Sequence, residues 1–360
     1  MKKTISLVLV LALGLAAEVA NADFVFGEPT NLGPTVNSSA SDAVPGISAD
    51  GLSLFFHSSR PGGSGDLDIW VATRATTDDD WGEPVNLGQT VNSSSSDGSP
   101  CISADGLSLY FSSGRPGGSG NADLWVATRP TTAADWGTPV NLGPTVNSGA
   151  GEVFPSISAD GLQLYFSEWE VFRPGGYGNS DMWVTTRRAV SDPWGTPVNL
   201  GQTVNSSSGD AGTSLSPDGL ELFFDSDRPG GSGDWDLWVA TRETTDDPWG
   251  SPVNLGPAVN NSSNDGGPSI SADGLSLFFH SNRPGGSGDW DLWQVPIEPI
   301  VDLNGDGIVD SADICIIVDH WGTDEPLCDI GPMPWGDGIV DVQDLIVLAE
   351  HLFEEIPPVE

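Results

Sequence analysis

Between Pro100 and Gly143 short apolar runs alternate with polar turns at a period suited to strands. Pro100 to Ser103 reads as a short strand that ends at Asp105-Gly106, a two-residue hairpin signal. Leu107, Leu109 and Phe111 then alternate with Ser108 and Tyr110, so both faces of the next strand are largely apolar, as expected when a small sheet is packed on each side. A Gly-rich loop leads to a third strand, Asp123 to Thr128, and Trp136 to Gly143 supplies a fourth. Nothing before residue 300 has helical periodicity.

The same four-strand pattern occurs five times. Asp-x-Trp falls at Asp68/Trp70, Asp123/Trp125, Asp181/Trp183, Asp236/Trp238 and Asp291/Trp293, at spacings of 55, 58, 55 and 55. Arg-Pro-Gly-Gly begins at Arg60, Arg115, Arg173, Arg228 and Arg283. A Ser-(Ala/Pro)-Asp-Gly turn places Asp at 50, 105, 160, 218 and 273. An aromatic-Gly-x-Pro-x-Asn-Leu-Gly marker starts at Phe26, Trp81, Trp136, Trp194 and Trp249. The three extra residues lie in the third copy, where Ser167 to Phe172 replaces a shorter loop.

A roughly 55-residue unit of four strands with aromatic and Gly markers is a propeller blade. The run Pro-x-Ile-Ser-Ala-Asp-Gly-Leu-x-Leu-(Phe/Tyr)-Phe-x-Ser-x-Arg followed by Asp-Leu-Trp resembles the WD-like repeat of TolB- and Tricorn-type propellers over residues 24 to about 297. The fold class expected is therefore all-β: a five-bladed β-propeller of four-stranded blades, followed by a small α-helical dockerin/EF-hand-like domain. Five copies departs from the six blades usual in TolB-type proteins. Because the first aromatic-Gly-x-Pro strand precedes any complete blade, Asp23 to Gly33 should be the outer strand of the blade begun at Pro268.

A residue present in every blade is read as structural. The Asp-x-Trp tryptophans should fill the space between blades. Each Arg-Pro-Gly-Gly arginine, eight residues before the Asp of Asp-x-Trp, is expected to brace its loop through that carboxylate, and the Gly pairs supply positive φ. Residues that break the repeat are the candidates for function: Trp169, Phe172, Tyr177, Trp235 and Trp290, on equivalent loops of one rim. Glu152, Glu168 and Glu170 are non-repeating acids that suit paired-carboxylate glycoside hydrolysis. His57 and His280 share one repeat position, and no His-Glu-x-x-His, Cys-x-x-Cys or phosphate-binding loop occurs.

Charge narrows the partners. Asp and Glu number 51 against 12 Lys and Arg, a net charge of −39, and no stretch carries the basic patch that nucleic acid requires. Met1-Lys2-Lys3, the apolar run Ile5 to Ala17 and Ala20-Asn21-Ala22 read as a signal peptide cleaved near Ala22. No later stretch is apolar enough to span a membrane, so a secreted, cell-surface or periplasmic location is expected. Only arginines then remain as cations, a surface suited to saline or calcium-containing media.

The tail differs in kind. From Asp302 to Asp313, oxygen-bearing side chains stand at positions 1, 3, 5, 9 and 12 (Asp302, Asn304, Asp306, Asp310, Asp313), the Ile308 carbonyl serves position 7 and Gly307 makes the turn. This is calcium-loop spacing. Asp313 in place of Glu, with an apolar helix directly after it, makes the segment resemble half of a type I dockerin. A second half carries Asp337, Ile339, Asp341 and Asp344, but by register its first and third positions are Met333 and Trp335; Asp329 could stand in only if the loop is enlarged. The resemblance implies a cohesin-like partner, met at Ser311-Ala312 and Val342-Gln343, pairs that do not match each other. Cys315 and Cys328 form a possible staple, and Cys101 is left as a buried apolar residue.

The domains expected are a signal peptide at 1–22, the propeller at 23–297, a linker at 298–301, the calcium module at 302–353 and a tail at 354–360. The function expected is an exported, non-catalytic binding protein, its propeller rim recognising a glycan or protein ligand and its calcium-dependent tail attaching to a partner. The alternatives are a polysaccharide-degrading glycoside hydrolase on a five-bladed propeller and a structural surface protein.

Overall fold

The computed structural model describes residues 24–169, 173–305, 307–323, 328–331 and 339–354. Two short strands, β1 (Phe24–Phe26) and β2 (Thr30–Asn31), and one helical turn, α1 (Gly33–Val36), lead into the first blade. That blade is β3 (Asp42–Ile47), β4 (Ser53–Ser58), β5 (Asp68–Thr73) and β6 (Val85–Asn86), antiparallel in sequence order. After the turn α2 (Gly88–Val91), blade two repeats it as β7 (Asp97–Ile102), β8 (Ser108–Ser113), β9 (Asp123–Thr128) and β10 (Val140–Asn141). Blade three is β11 (Gly151–Ile157), β12 (Gln163–Trp169), β13 (Met182–Thr186) and β14 (Val198–Asn199). Blade four is β15 (Asp210–Leu215), β16 (Glu221–Ser226), β17 (Asp236–Thr241) and β18 (Val253–Asn254).

Blade five has only three strands of its own: β19 (Asp265–Ile270), β20 (Ser276–Ser281) and β21 (Asp291–Pro299). Its outer edge is covered by the start of the chain, β2 pairing Asn31 with Trp293 and β1 pairing Phe24 with Pro299. The strand exchange expected from the sequence is thus present, and it removes the free edge. Each inner strand touches the next, and β19 touches β3, so the ring closes.

The periodic tryptophans pack between blades. Trp70 lies in one buried cluster with Phe278 and Leu292 of blade five, and Trp125 with Phe55 and Ile69 of blade one. Each such burial contributes roughly 1.5–3 kcal/mol. The aromatic-Gly-x-Pro tryptophans add edge-to-face contacts across the same seams: Trp136 on Phe55 at 6.5 Å and Trp81 on Phe278 at 6.3 Å. Asn37, Asn92 and Asn205, which form Asn-x-Ser sequences, are 1% exposed, and their amides bond the backbone of Leu292, Ile69 and Met182. They are struts between blades.

One feature had no sequence signal. Every inner strand bulges at the same place, with positive φ at Val44 (53°), Ser99 (51°), Phe154 (53°), Gly212 (64°) and Gly267 (56°). These bulges narrow the central channel to a cavity of about 30 Å3, large enough for water but for nothing the size of a sugar ring.

In the tail, α3 (Ser311–Asp319) and α4 (Val342–Glu350) pack around Val309, Ile317, Val340 and Leu348. Among the described residues no helix is long and apolar enough to cross a membrane. The expected signal peptide lies outside them.

Candidate functional site

Strand register places Asp42, Ser58 and Asp68 on one rung at the face carrying the loops between second and third strands, here the upper face. In four blades this rung is a closed polar circuit. Arg60 Nη2 donates to Asp42 Oδ1 (2.5 Å) and to the Val36 carbonyl (2.6 Å), and its Nε donates to Ser58 Oγ (2.9 Å). Arg115 with Asp97 and Ser113, Arg228 with Asp210 and Ser226, and Arg283 with Asp265 and Ser281 repeat the arrangement. The expected pairing of Arg60 with Asp68, and of its equivalents, is corrected. Asp68 is already held by the amides of Ser64 and Gly65 and by Asn86 Nδ2, whereas Asp42 is 0% exposed and requires a counter-charge. Gly63 permits the Asp68 contact, since a Cβ there would stand 2.2 Å from the Asp68 carboxylate.

Blade three breaks the circuit. Glu152 stands where the other blades have Asp, Glu168 stands where they have Ser, and the two face each other across β11 and β12. Arg173 keeps Glu152 Oε1 at 2.8 Å, but its Nε has lost the hydroxyl. That Nε, Glu152 Oε2 and Glu168 Oε2 are all buried without a hydrogen-bond partner. Glu168 is 1% exposed; burial, with the Asp181 carboxylate adding to it, pushes its carboxyl up to about 8. Burial raises Glu152 as well. Adjacent buried carboxyls resist double ionisation, so near neutral pH Glu168 keeps a proton while Glu152 is ion-paired to Arg173. Glu170 lies outside the described residues.

A second polar feature rings the channel mouth. His57, Ser112, Ser167, Asp225 and His280 occupy one repeat position, the fifth residue of each second strand. Three of them reach the bulge of the following blade: Ser99 N donates to His57 Nδ1 (3.3 Å), Val44 N to His280 Nδ1 (3.3 Å) and Gly267 N to Asp225 Oδ1 (2.9 Å). Burial lowers His57 to about 4 and His280 to about 3, and raises Asp225 to about 7. The shared position of His57 and His280 was visible in the sequence. Asp225 was missed, although it fills the same slot in blade four.

Of the rim aromatics, three have described side chains. Trp290 is partly buried with its ring against His280 (centroids 5.0 Å apart), and Trp235 is partly buried over Gly209. Tyr177 is 47% exposed. Trp169 ends β12, and Phe172 lies outside the described residues.

In the tail, Gly307 has φ +88° and the loop curls around two carboxylates. Asp302 accepts from Gly305 N and Gly307 N, and Asp313 from Asn304 N and Asp310 N. Asp310 caps α3 through Ala312 N. The second half repeats this, with Asp341 accepting from Gln343 N and Asp344 from Asp341 N and Gly331 N. Gly331 therefore stands where Asn304 stands, which puts Asp329, rather than Met333, at the start of an enlarged second loop. Asp306, Asp337, Met333 and Trp335 lie outside the described residues, and Ile339 is exposed. Among the described residues no three His, Cys, Asp or Glu side chains converge on a metal-sized space. Cys315 and Cys328 are not bonded: Cys328 is in the tail core, while Cys315 lies two residues from buried Asp313 and Ile317 and faces solvent. Cys101 accepts from Ile157 N across a blade seam, its thiol raised by burial to about 11.

No protein-family model and no curated protein matches the chain. Solved structures do. A thermostable family-43 glycoside hydrolase is 15% identical, with a TM-score of 0.51 over 75% of this chain and 92% of that one. An α-L-arabinofuranosidase from Podospora anserina, in complex with cellotriose, is 14% identical, with a TM-score of 0.51 over 77% and 99%. TolB from Acinetobacter baumannii is 17% identical with a TM-score of 0.44; the match covers 70% of this chain and 51%, about half, of TolB. The expectation of a non-catalytic binding protein is corrected here, because the propellers matched over nearly their full length are glycoside hydrolases.

Proposed function

We propose that the propeller is a glycoside hydrolase acting on polysaccharide, with Glu168 and Glu152 of blade three as its acid pair. The observation that carries this is the break in the rung circuit: the one blade with two facing carboxyls is also the one where a carboxyl is held near 8. Glycoside hydrolysis needs one carboxyl that keeps its proton to protonate the leaving oxygen and a second that is ionised. Glu168 fits the first role and Glu152, beside Arg173, the second. Glu168 is 1% exposed, so a glycosidic oxygen meets it only once the groups covering it shift. The likeness to proteins named as a family-43 glycoside hydrolase and an α-L-arabinofuranosidase supports arabinose-containing glycans as first substrates. Arabinan, xylan and fructan should be screened with the wild type, Glu168→Gln and Glu152→Gln. Release of sugar by the wild type and its loss in both variants is expected; no release from any substrate overturns the reading.

The same reading gives the tail a calcium ion. Its donors are hard oxygens, the carboxylates of Asp302, Asp310 and Asp313, the Asn304 amide and the Ile308 carbonyl, a set that calcium prefers. Bound calcium would supply charge neutralisation in the loop, and the tail would then present its paired helices to a cohesin-like partner. A secreted or cell-surface location follows from this reading.

A further inference from the structure

We propose that the channel mouth is a cradle for the end unit of a neutral glycan, in which His57 and His280 donate to sugar hydroxyls and Asp225 accepts from one. This rests on the hydrolase reading and specifies what that enzyme holds. The three residues stand at one strand position in blades one, five and four, neighbours around the ring. A Cβ added at Gly266 would lie 3.2 Å from His280 Nε2 and 3.4 Å from Asp225 Cγ, so both side chains flank the same bare backbone.

The tautomer decides the chemistry. A ring nitrogen that accepts a backbone N–H carries no proton, so the bonds from Ser99 N and Val44 N place the proton of each imidazole on Nε2. Each histidine therefore presents a donor to the mouth. Ligating a metal through Nε2 would require moving that proton to Nδ1, against the backbone N–H, which agrees with the absence of a converging metal set among the described residues. Neither Nε2 nor Asp225 Oδ2 is a buried, unpartnered atom. Two donors and one acceptor match hydroxyls, which both give and take hydrogen bonds. A uronic acid would set its carboxylate against Asp225 and a chain of net charge −39. Trp290, edge-on to His280, supplies the apolar wall. The bulge ring forms the floor, and its cavity of about 30 Å3 admits no sugar, so a chain end or side branch enters and does not thread through.

The test is nitrogen-15 NMR of the histidine side chains in the full-length Glu168→Gln protein, titrated with xylotriose, arabinotriose, cellotriose and trigalacturonic acid. In the free protein, His57 and His280 should show the Nε2–H tautomer. At least one neutral trisaccharide, up to roughly 10 mM, should shift both, and His57→Ala and Asp225→Asn should each weaken it about tenfold. Nδ1–H tautomers, no shift with any neutral sugar, or stronger binding of trigalacturonic acid overturns the cradle. Hydrolysis by the wild type, read separately, distinguishes the two ideas. Sugar shifts without hydrolysis leave the cradle and remove the enzyme; hydrolysis undiminished in His57→Ala and Asp225→Asn removes the cradle and leaves the enzyme.

Discussion

At the scale of single residues, Glu168 sets the pH response of the propeller. Its folded carboxyl lies near 8, above the ordinary value of 4.5, so the folded state holds a proton that the unfolded chain releases. The stabilisation is complete below the unfolded value and is lost as pH rises through the folded one. Asp225, near 7, acts in the same direction. His57 and His280 act oppositely, since their depressed values favour folding only above about 4 and 3 and fully near 6.5. Thermal stability should therefore be level between roughly pH 4.5 and 6.5 and decline towards pH 8. Glu168→Gln should flatten that alkaline decline in calorimetric melts; an unchanged slope would show that Glu168 is ionised when folded. The double substitution Glu152→Asp with Glu168→Ser restores the circuit of the other four blades. It should raise stability by about 1–3 kcal/mol in urea unfolding, because buried unpartnered groups are removed, while abolishing hydrolysis.

At the scale of elements, the ring depends on the borrowed edge of blade five. β1 and β2 cover β21 through Phe24 to Phe26 and Thr30 to Asn31, and Phe26 packs on the last blade's core. Removing residues 23–33 should expose an apolar strand edge, lower the melting temperature and produce aggregates in light scattering. A melting temperature equal to that of the intact chain would mean the edge is dispensable. This closure was legible because an orphan copy of a periodic strand preceded the first blade. The bulges were not: Val44, Ser99 and Phe154 are not residues that sequence rules place at positive φ, and only packing around the channel puts them there.

At the scale of the whole molecule, a net charge of −39 makes cations a structural matter. If the tail loop takes calcium, the full chain should show a second, calcium-dependent melting transition and a binding heat lost in Asp302→Ala and Asp313→Ala. The propeller's own transition should change little, because its core clusters and that of the tail are separate. Calcium at about 100 times its dissociation constant would add about 2.7 kcal/mol to the tail. Magnesium or sodium at matched ionic strength separates binding from screening; equal effects of all salts would remove the calcium site.

What the sequence determined by itself was what recurs around the ring and along the tail: five blades, their four strands, the exchanged edge, the inter-blade tryptophans and the two similar halves of the tail, each ending in a helix capped by Asp310 or Asp341. Repetition makes such features readable, since each copy repeats the same local chemistry. What only the tertiary structure decided was which groups meet. Arg60 stands eight residues before Asp68 in the chain, yet it bonds Asp42, eighteen residues behind it, because strand pairing brings that buried carboxylate onto the rung and leaves Asp68 to backbone amides. Glu152 and Glu168 are sixteen residues apart and become partners only across β11 and β12. His57, Asp225 and His280 gather at one mouth only when the ring closes, since their hydrogen-bond partners lie on the following blade and no local signal records a neighbour 42 or 236 residues away.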